Sequence, residues 1–490
     1  MAAVAASASK LEAEYDIPVA PVATLEFKSV ADDLRSANMS LPFIYTPHPV
    51  VGMSPEALDK YIAGDDPDTH KPVIGEIIDA LTRPVDVNRN KPEAAVTVKT
   101  DTSSIFLEPD TEDNFQRLFF ERGWTDGLPV ILPTEERVKR MLAGTGRPPD
   151  EVVGEIEIIN FDNTELVKYT VSNIAIFAVM AGARPEHFPV ILAIASTRQA
   201  AFTPSTTAFS SMILVNGPIR KEIGMNAGMG AYSPINLANS VIGRSWTIMS
   251  ICWGYTRPKK TLWSSQGNNF LYNNMCAAEN EERSVWTPFH VDKGFKPGES
   301  TVSLFRGWTL FNSDGAAAHR TVGEELNYQM QVMPGIDSAA TIIIDPLVAR
   351  NLKENEGFAT KRDFCVWLSK NLKIPAGRYW GTDHVDLMMG HLPNKGVEPY
   401  ASWKKAPPDE LIPHYFNADN INILVVGGET SPLWKASDYG YLTSASIDKW
   451  RPAGSAIDCK DGSCGLPDPE DIDCKDGSCG LPDAPAEYDK

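Results

Sequence analysis

Thr341-Ile342-Ile343-Ile344-Asp345-Pro346 and Ile421-Asn422-Ile423-Leu424-Val425-Val426-Gly427-Gly428-Glu429 are the two stretches whose reading decides the fold. Each is a short aliphatic run closed by turn-forming residues, which is the pattern of a buried strand. Between them lies a helical segment that contains Cys365. Buried strands with helices between them suggest an α/β element, and in such elements the loops at the carboxyl ends of the strands build the sites.

Outward from that element the same signals continue. Thr111 is placed to cap a helix over 114–121 that Gly123 stops, and Thr134 opens another that ends at Gly144. Glu155 to Ile159 and Lys168 to Val171 read as strands, and residues 173–183 and 185–197 as two buried helices, with Pro185 in a first turn. Residues 1–110 are rich in proline (Pro42, Pro47, Pro49, Pro67, Pro72, Pro84) and read as a wrapping arm with short helices at Ser54-Pro55 and 74–81. The expected organisation is this extended Pro-rich arm (1–110), a mixed α+β globular body of α/β type (111–450) and a flexible acidic tail (451–490).

With 490 residues, 43% of them hydrophobic and 22% charged, the chain can bury a sizeable core. A net charge of −19 argues against nucleic acid and anionic membranes as partners, because phosphate contacts need basic clusters. The longest apolar stretches, 174–183 and 188–195, are separated by Arg184, Glu186 and His187 and fall short of the roughly 20 residues of a membrane span. No basic region followed by a long apolar run opens the sequence, so the expected location is the cytoplasm. There thiols are kept reduced, and paired cysteines are more often catalytic or metal-binding than structural.

Four of the seven cysteines lie in the tail, where Ile457-Asp-Cys-Lys-Asp-Gly-Ser-Cys-Gly-Leu-Pro-Asp468 is repeated from Ile472 to Asp483. Residues 458–489 hold eight Asp and two Glu against two Lys, a balance of −8. So few apolar groups cannot offset an ordering entropy of roughly 1–2 kcal/mol per residue. Each copy spaces its thiols as C-x4-C, Cys459 with Cys464 and Cys474 with Cys479, and Gly462 or Gly477 eases a closed loop. Fifteen extended residues reach roughly 50 Å, so a pair could visit a pocket on its own body.

In the body, 216–244 is dense in small and amide residues: Gly217, Gly224, Asn226, Gly228, Gly230, Asn236, Asn239 and Gly243. Exposed peptide N–H groups of glycine turns make anion sites, and Arg244 offers a bidentate clamp for a carboxylate. Close helix packing explains the same composition equally well. Trp124 and Asp126 in Gly123-Trp-Thr-Asp-Gly-Leu-Pro129 are pocket candidates, although Asp-Gly is an ordinary turn pair. Glu279, in Cys276-Ala-Ala-Glu-Asn-Glu-Glu282, and His290 are the candidate proton-transfer pair, because a carboxylate beside a histidine holds the ring and tunes it. The competing reading is a solvated acidic loop. Cys252 and Cys365, set among apolar residues, read as core, and His384, Asp383, Asp386 and His391 are too irregularly spaced for a metal set.

Gly123–Pro129, Val179-Met-Ala-Gly-Ala-Arg-Pro-Glu-His-Phe-Pro189, Ala278-Glu-Asn-Glu-Glu282 and the Gly-Ser-Cys of the tail together resemble the UGSC-type (seleno)proteins. The resemblance covers roughly 111–310 and the tail. It implies redox chemistry at a selenol or thiol beside Gly-Ser-Cys. Here Asp461 and Asp476 occupy that position, and the partner thiol lies two residues upstream, at Cys459 and Cys474.

The expectation is therefore a thiol-dependent oxidoreductase for a small anionic organic substrate, recharged by a thiol electron donor. Cys464 or Cys479 would attack or resolve, Cys459 or Cys474 would complete the pair, and Glu279 and His290 would move protons. Two alternatives compete with it: a tail whose four thiolates hold or deliver a soft metal ion, and an enzyme fused to its own peptide substrate, the repeats. No nucleotide fingerprint is present, no cofactor is otherwise indicated, and an oligomer is compatible with the sequence.

Overall fold

The aliphatic runs at 341 and 421 form neighbouring parallel strands in a computed structural model of the chain. The structure describes residues 15–28, 41–50, 53–84, 107–159, 164–201, 208–254, 266–314 and 320–452, with a few isolated positions beside them. All fall in one compact unit, Met1–Pro452. The four tail cysteines lie outside the described residues.

In the amino-terminal segment β1 (Val22–Thr24) and β2 (Ile44–Thr46) pair in parallel, followed by helices Pro55–Ala63 and Val73–Thr82. Ser54 caps the first of these, as Thr111 and Thr134 cap Glu112–Glu121 and Glu135–Leu142. A hairpin, β3 (Val152–Ile159) with β4 (Thr164–Thr170), leads into the helices Val171–Met180 and Phe188–Ser196.

Two four-stranded sheets organise the rest. The first is built from β5 (Ser210–Asn216), β6 (Ala277–Ala278) and β7 (Thr301–Gly307). The second begins with β8 (Leu310–Asp314) and β9 (Ala340–Ile344). A small pair, β10 (Ile374–Pro375) with β11 (Leu411–Ile412), stands apart. Then β12 (Ile421–Val425) and β13 (Leu433–Ser437) join the second sheet, and β14 (Gly440–Ser446) returns to the first. Strand orders are β14-β7-β5-β6 and β12-β9-β13-β8, with β5/β6 and β9/β12 parallel and the other neighbours antiparallel.

The period-2 alternation of each strand sets the layers. Ile342, Ile344, Ile423, Val425, Trp434 and Ala436 pack with residues of the helices Val322–Met330, Pro346–Glu354 and Lys361–Asn371. The intervening Ile343 and Leu424 meet Met212, Leu214 and Phe305 of the other sheet. Ile213, Val215, Val302 and Leu304 in turn face Val171–Met180, Phe188–Ser196 and the long helix Leu237–Gly254. The body is thus a four-layer α/β/β/α sandwich. Among the described residues, no helix is long and apolar enough to cross a membrane.

The long helix lies so close to the Asn273 backbone that a Cβ on Gly243 would overlap its carbonyl. Gly243→Ala is expected to destabilise the fold by about 1–3 kcal/mol in denaturant titration, the usual range for an added group in a filled core.

Candidate functional site

Groups from both sheets and from a helix outside the second one are fastened to the short run Glu279–Glu282 just after β6. Glu279 is completely buried, and its two oxygens accept four hydrogen bonds. Oε1 takes the Lys361 ammonium at 2.8 Å and the Val425 N–H at 3.3 Å; Oε2 takes the Asn216 amide at 2.7 Å and the Phe289 N–H at 2.6 Å. Those donors come from a helix of the second sheet's outer layer, from β12, from β5 and from the start of the short helix Phe289–Asp292. Burial resists the charge on Glu279, yet the Lys361 cation and these donors outweigh it and hold the carboxyl below its usual range.

Its neighbours finish the clasp. Asn280 donates from its amide to the Gly427 carbonyl and from its backbone N–H to the Val425 carbonyl, both at 2.8 Å. Glu281 accepts the Asn216 amide and the Gly217 N–H and pairs with Arg220 at 2.9 Å. Glu282 pairs with Arg220 and Lys221, each at 2.9 Å. The acidic run is therefore not a solvated loop.

Of the proton-transfer pair, Glu279 has every lone pair occupied and acts as a fixed charge. No hydrogen bond joins it to His290 among the described residues. The fully buried His290 ring has its Nδ1 4.0 Å from Glu281, without a hydrogen bond, and its Nε2 3.3 Å from the Pro297 carbonyl.

A cavity of about 510 Å³ opens where β9 and β12 end, a volume typical of small-molecule sites. Ile343, Asp345, Val426, Gly427 and Gly428 line it from the strand ends, Asn312, Leu433 and Lys435 from β8 and β13, and Gly228–Ser233 from the glycine-rich stretch. That stretch is held open by its amides. Asn226 donates to Met229 O and Asn236 Oδ1 and accepts the Gly228 N–H; Asn236 donates to the carbonyls of Gly230, Ala231 and Ser233. Asn226 and Asn236 thus shape the wall through backbone contacts. Gly428 must be glycine, because a Cβ there would overlap Met229 across the cavity edge.

Trp124, Asp126 and Arg244 are not among the residues lining this cavity; of the three, Asp126 and Arg244 are brought together, elsewhere. Arg244 grips Asp126 through two bonds of 2.8 and 2.9 Å and donates to the Pro129 carbonyl, so its fork is already filled. Trp124 packs edge-on against Phe119. Asp345 caps the following helix: its oxygens accept the N–H of Leu347 at 2.9 Å and of Glu429 at 3.0 Å.

Two of the three described cysteines, Cys276 and Cys365, offer no ready thiolate. Burial pushes the Cys276 thiol far up and Cys365 up to about 12, while the half-buried Cys252 lies 3.9 Å from the Trp124 carbonyl. Sequence reading did not single out Lys361, Arg220 or Lys435. For Lys435 a signal existed: it alternates with Trp434 and Ala436, so a strand that buries those two must turn the lysine to the other face. Lys361 carries no such signal, being an ordinary first-turn lysine whose partner is 82 residues away.

No family model, curated protein or solved structure matches this chain.

Glu279→Gln and Lys361→Met, each leaving one buried partner uncompensated, are expected to cost about 3–5 kcal/mol in chemical denaturation, and the double replacement much less than the sum. Glu282 supplies a pH test. Burial resists its charge, but Arg220 and Lys221 lower its carboxyl to about 2. A depressed carboxylate stabilises fully above its unfolded value and loses that contribution as pH falls through the folded one. The melting-temperature gap between the native chain and Glu282→Gln should be present above about pH 5 and close towards pH 2. Being partly exposed, the pair should give a small gap that salt reduces further.

Proposed function

We propose that this chain is a thiol-dependent oxidoreductase whose body holds a small anionic organic substrate in the cavity at the ends of β9 and β12. Cys459 with Cys464, and Cys474 with Cys479, serve as its dithiol/disulfide arm. The observation that carries the reading is a ligand-sized cavity in a body where burial raises the thiols of Cys276 and Cys365, two of its three described cysteines, out of the reactive range. The tail adds four further thiols, which stand in two identical pairs among polar residues.

In each turnover one pair gives up two electrons and two protons and closes as a disulfide, while the substrate gains both. An external dithiol reopens the disulfide by exchange. Cys464 or Cys479 attacks or resolves, and Cys459 or Cys474 completes the bond. The tether supports this assignment, since an effective concentration on the order of millimolar makes the second sulfur step intramolecular. Glu279 enters as the fixed charge that holds the strand ends in place and leaves the proton steps to other groups.

Equilibrating the full-length chain in graded glutathione buffers, alkylating it and reading peptides by mass spectrometry tests the assignment. Cys459–Cys464 and Cys474–Cys479 should form within their own repeats, while Cys276 and Cys365 stay reduced and unlabelled until the protein unfolds. Tail thiols that remain open under buffers oxidising enough to close ordinary dithiols would sink the reading, as would metal retained stoichiometrically on all four.

A further inference from the structure

Lys435 is the feature that the reading above leaves unexplained. Across the second sheet, Leu424, Ile343, Lys435 and Asn312 stand side by side in register on β12, β9, β13 and β8. They share the face turned away from the helices, so this row grades from apolar to polar towards the β8 edge. Ile343, Lys435 and Asn312 line the cavity, with Val426 and Leu433 adding apolar surface.

The Lys435 ammonium donates to the Asn312 side-chain oxygen and lies 5.9 Å from the centre of the Tyr232 ring. Among the described residues it forms no ion pair with a carboxylate. Asp345, in the same wall, already has both oxygens on backbone N–H groups. A half-buried cation whose fixed neighbours are an amide and an aromatic ring is a charge awaiting a counter-ion.

We propose that the cavity is a monocarboxylate site, with Lys435 anchoring the carboxylate and Ile343, Val426 and Leu433 receiving an apolar body. This deepens the reading above by naming the substrate class, and it rests on the same cavity but not on the tail thiols. A phosphate dianion suits the site poorly, because one ammonium leaves the second charge uncompensated and the nearby guanidinium groups are engaged. Arg283 and Arg350 both hold Glu429, the residue after Gly428. An organic cation meets Lys435 itself. The lining also includes Ser233, Thr430 and Ser431, whose hydroxyls are donors that add no charge.

The test is isothermal titration of the full-length chain carrying Ser at all four tail cysteines, so that binding is read without redox chemistry. Hexanoate and benzoate are the probes, with inorganic phosphate and hexylamine as counter-probes. Saturable, one-to-one binding of the two carboxylates is expected, against neither counter-probe. Lys435→Met should weaken that binding about tenfold or more, and Lys435→Arg should largely restore it. Burial lowers the lysine's affinity for its proton, so carboxylate binding should fade as pH rises, beginning below the range of an ordinary lysine. Tighter binding of phosphate or hexylamine, no saturable carboxylate binding, or unchanged binding by a Lys435→Met chain of normal melting temperature each overturns the proposal. Intact carboxylate binding beside inert tail thiols would remove only the redox reading; cycling tail thiols without carboxylate binding would remove only this one.

Discussion

A carboxylate with no access to water must be given hydrogen bonds on both oxygens and a cation, or it cannot remain charged. Glu279 meets that condition only if Lys361, Val425, Asn216 and Phe289 converge on it at once. Those groups belong to both sheets and to a helix outside the second sheet, so the requirement of a single side chain fixes the relative position of the layers. The apolar contact between the sheets, Ile343 and Leu424 against Leu214 and Phe305, supplies attraction without much direction. The buried charge supplies direction. Asn280 extends the same control to the end of β12, where its bond to the Gly427 carbonyl sets the edge of the cavity.

The cavity is consequently a product of the clasp. Its floor is the inter-sheet face of β8, β9 and β13, and one wall is the amide-braced loop Gly228–Ser233. Gly428 and Met229 touch where wall and strand end meet, and the Gly427 N–H donates to the Ala227 carbonyl at 3.0 Å. Small residues at 427–428 and 228–230 therefore serve one purpose. They let two backbones approach closely enough to enclose space without filling it.

Much of the local structure was legible in the sequence because its causes are local. Thr111 caps its helix and Thr134 opens the next, as their sequence positions suggest, a helix does start at Ser54-Pro55, and the runs at 341 and 421 are strands. Residues 173–183 gave the right kind of element, although the helix begins at Val171 and ends at Met180, where the chain turns through Gly182. β5 went unread: its seven residues, Ser210–Asn216, are all buried, so no alternation marks them. The stretch at 216–244 was read for its glycines and amides, which hid the start of the helix Leu237–Gly254. The site was harder still. Which carboxylate meets Lys361, and that Arg244 meets Asp126, are facts of long-range packing, set by partners 82 and 118 residues apart. The mixed α/β class followed from the strands and helices alone.

The cavity takes its lining from four separated stretches, 228–233, 312–313, 343–345 and 426–435. None of them encloses anything by itself. The recess exists only once stretches roughly two hundred residues apart in sequence have met, so it is built from contacts of high contact order. Occupancy of the recess is therefore a readout of the whole assembly, and any small molecule that fills it stabilises the joined layers by mass action, whatever chemistry follows.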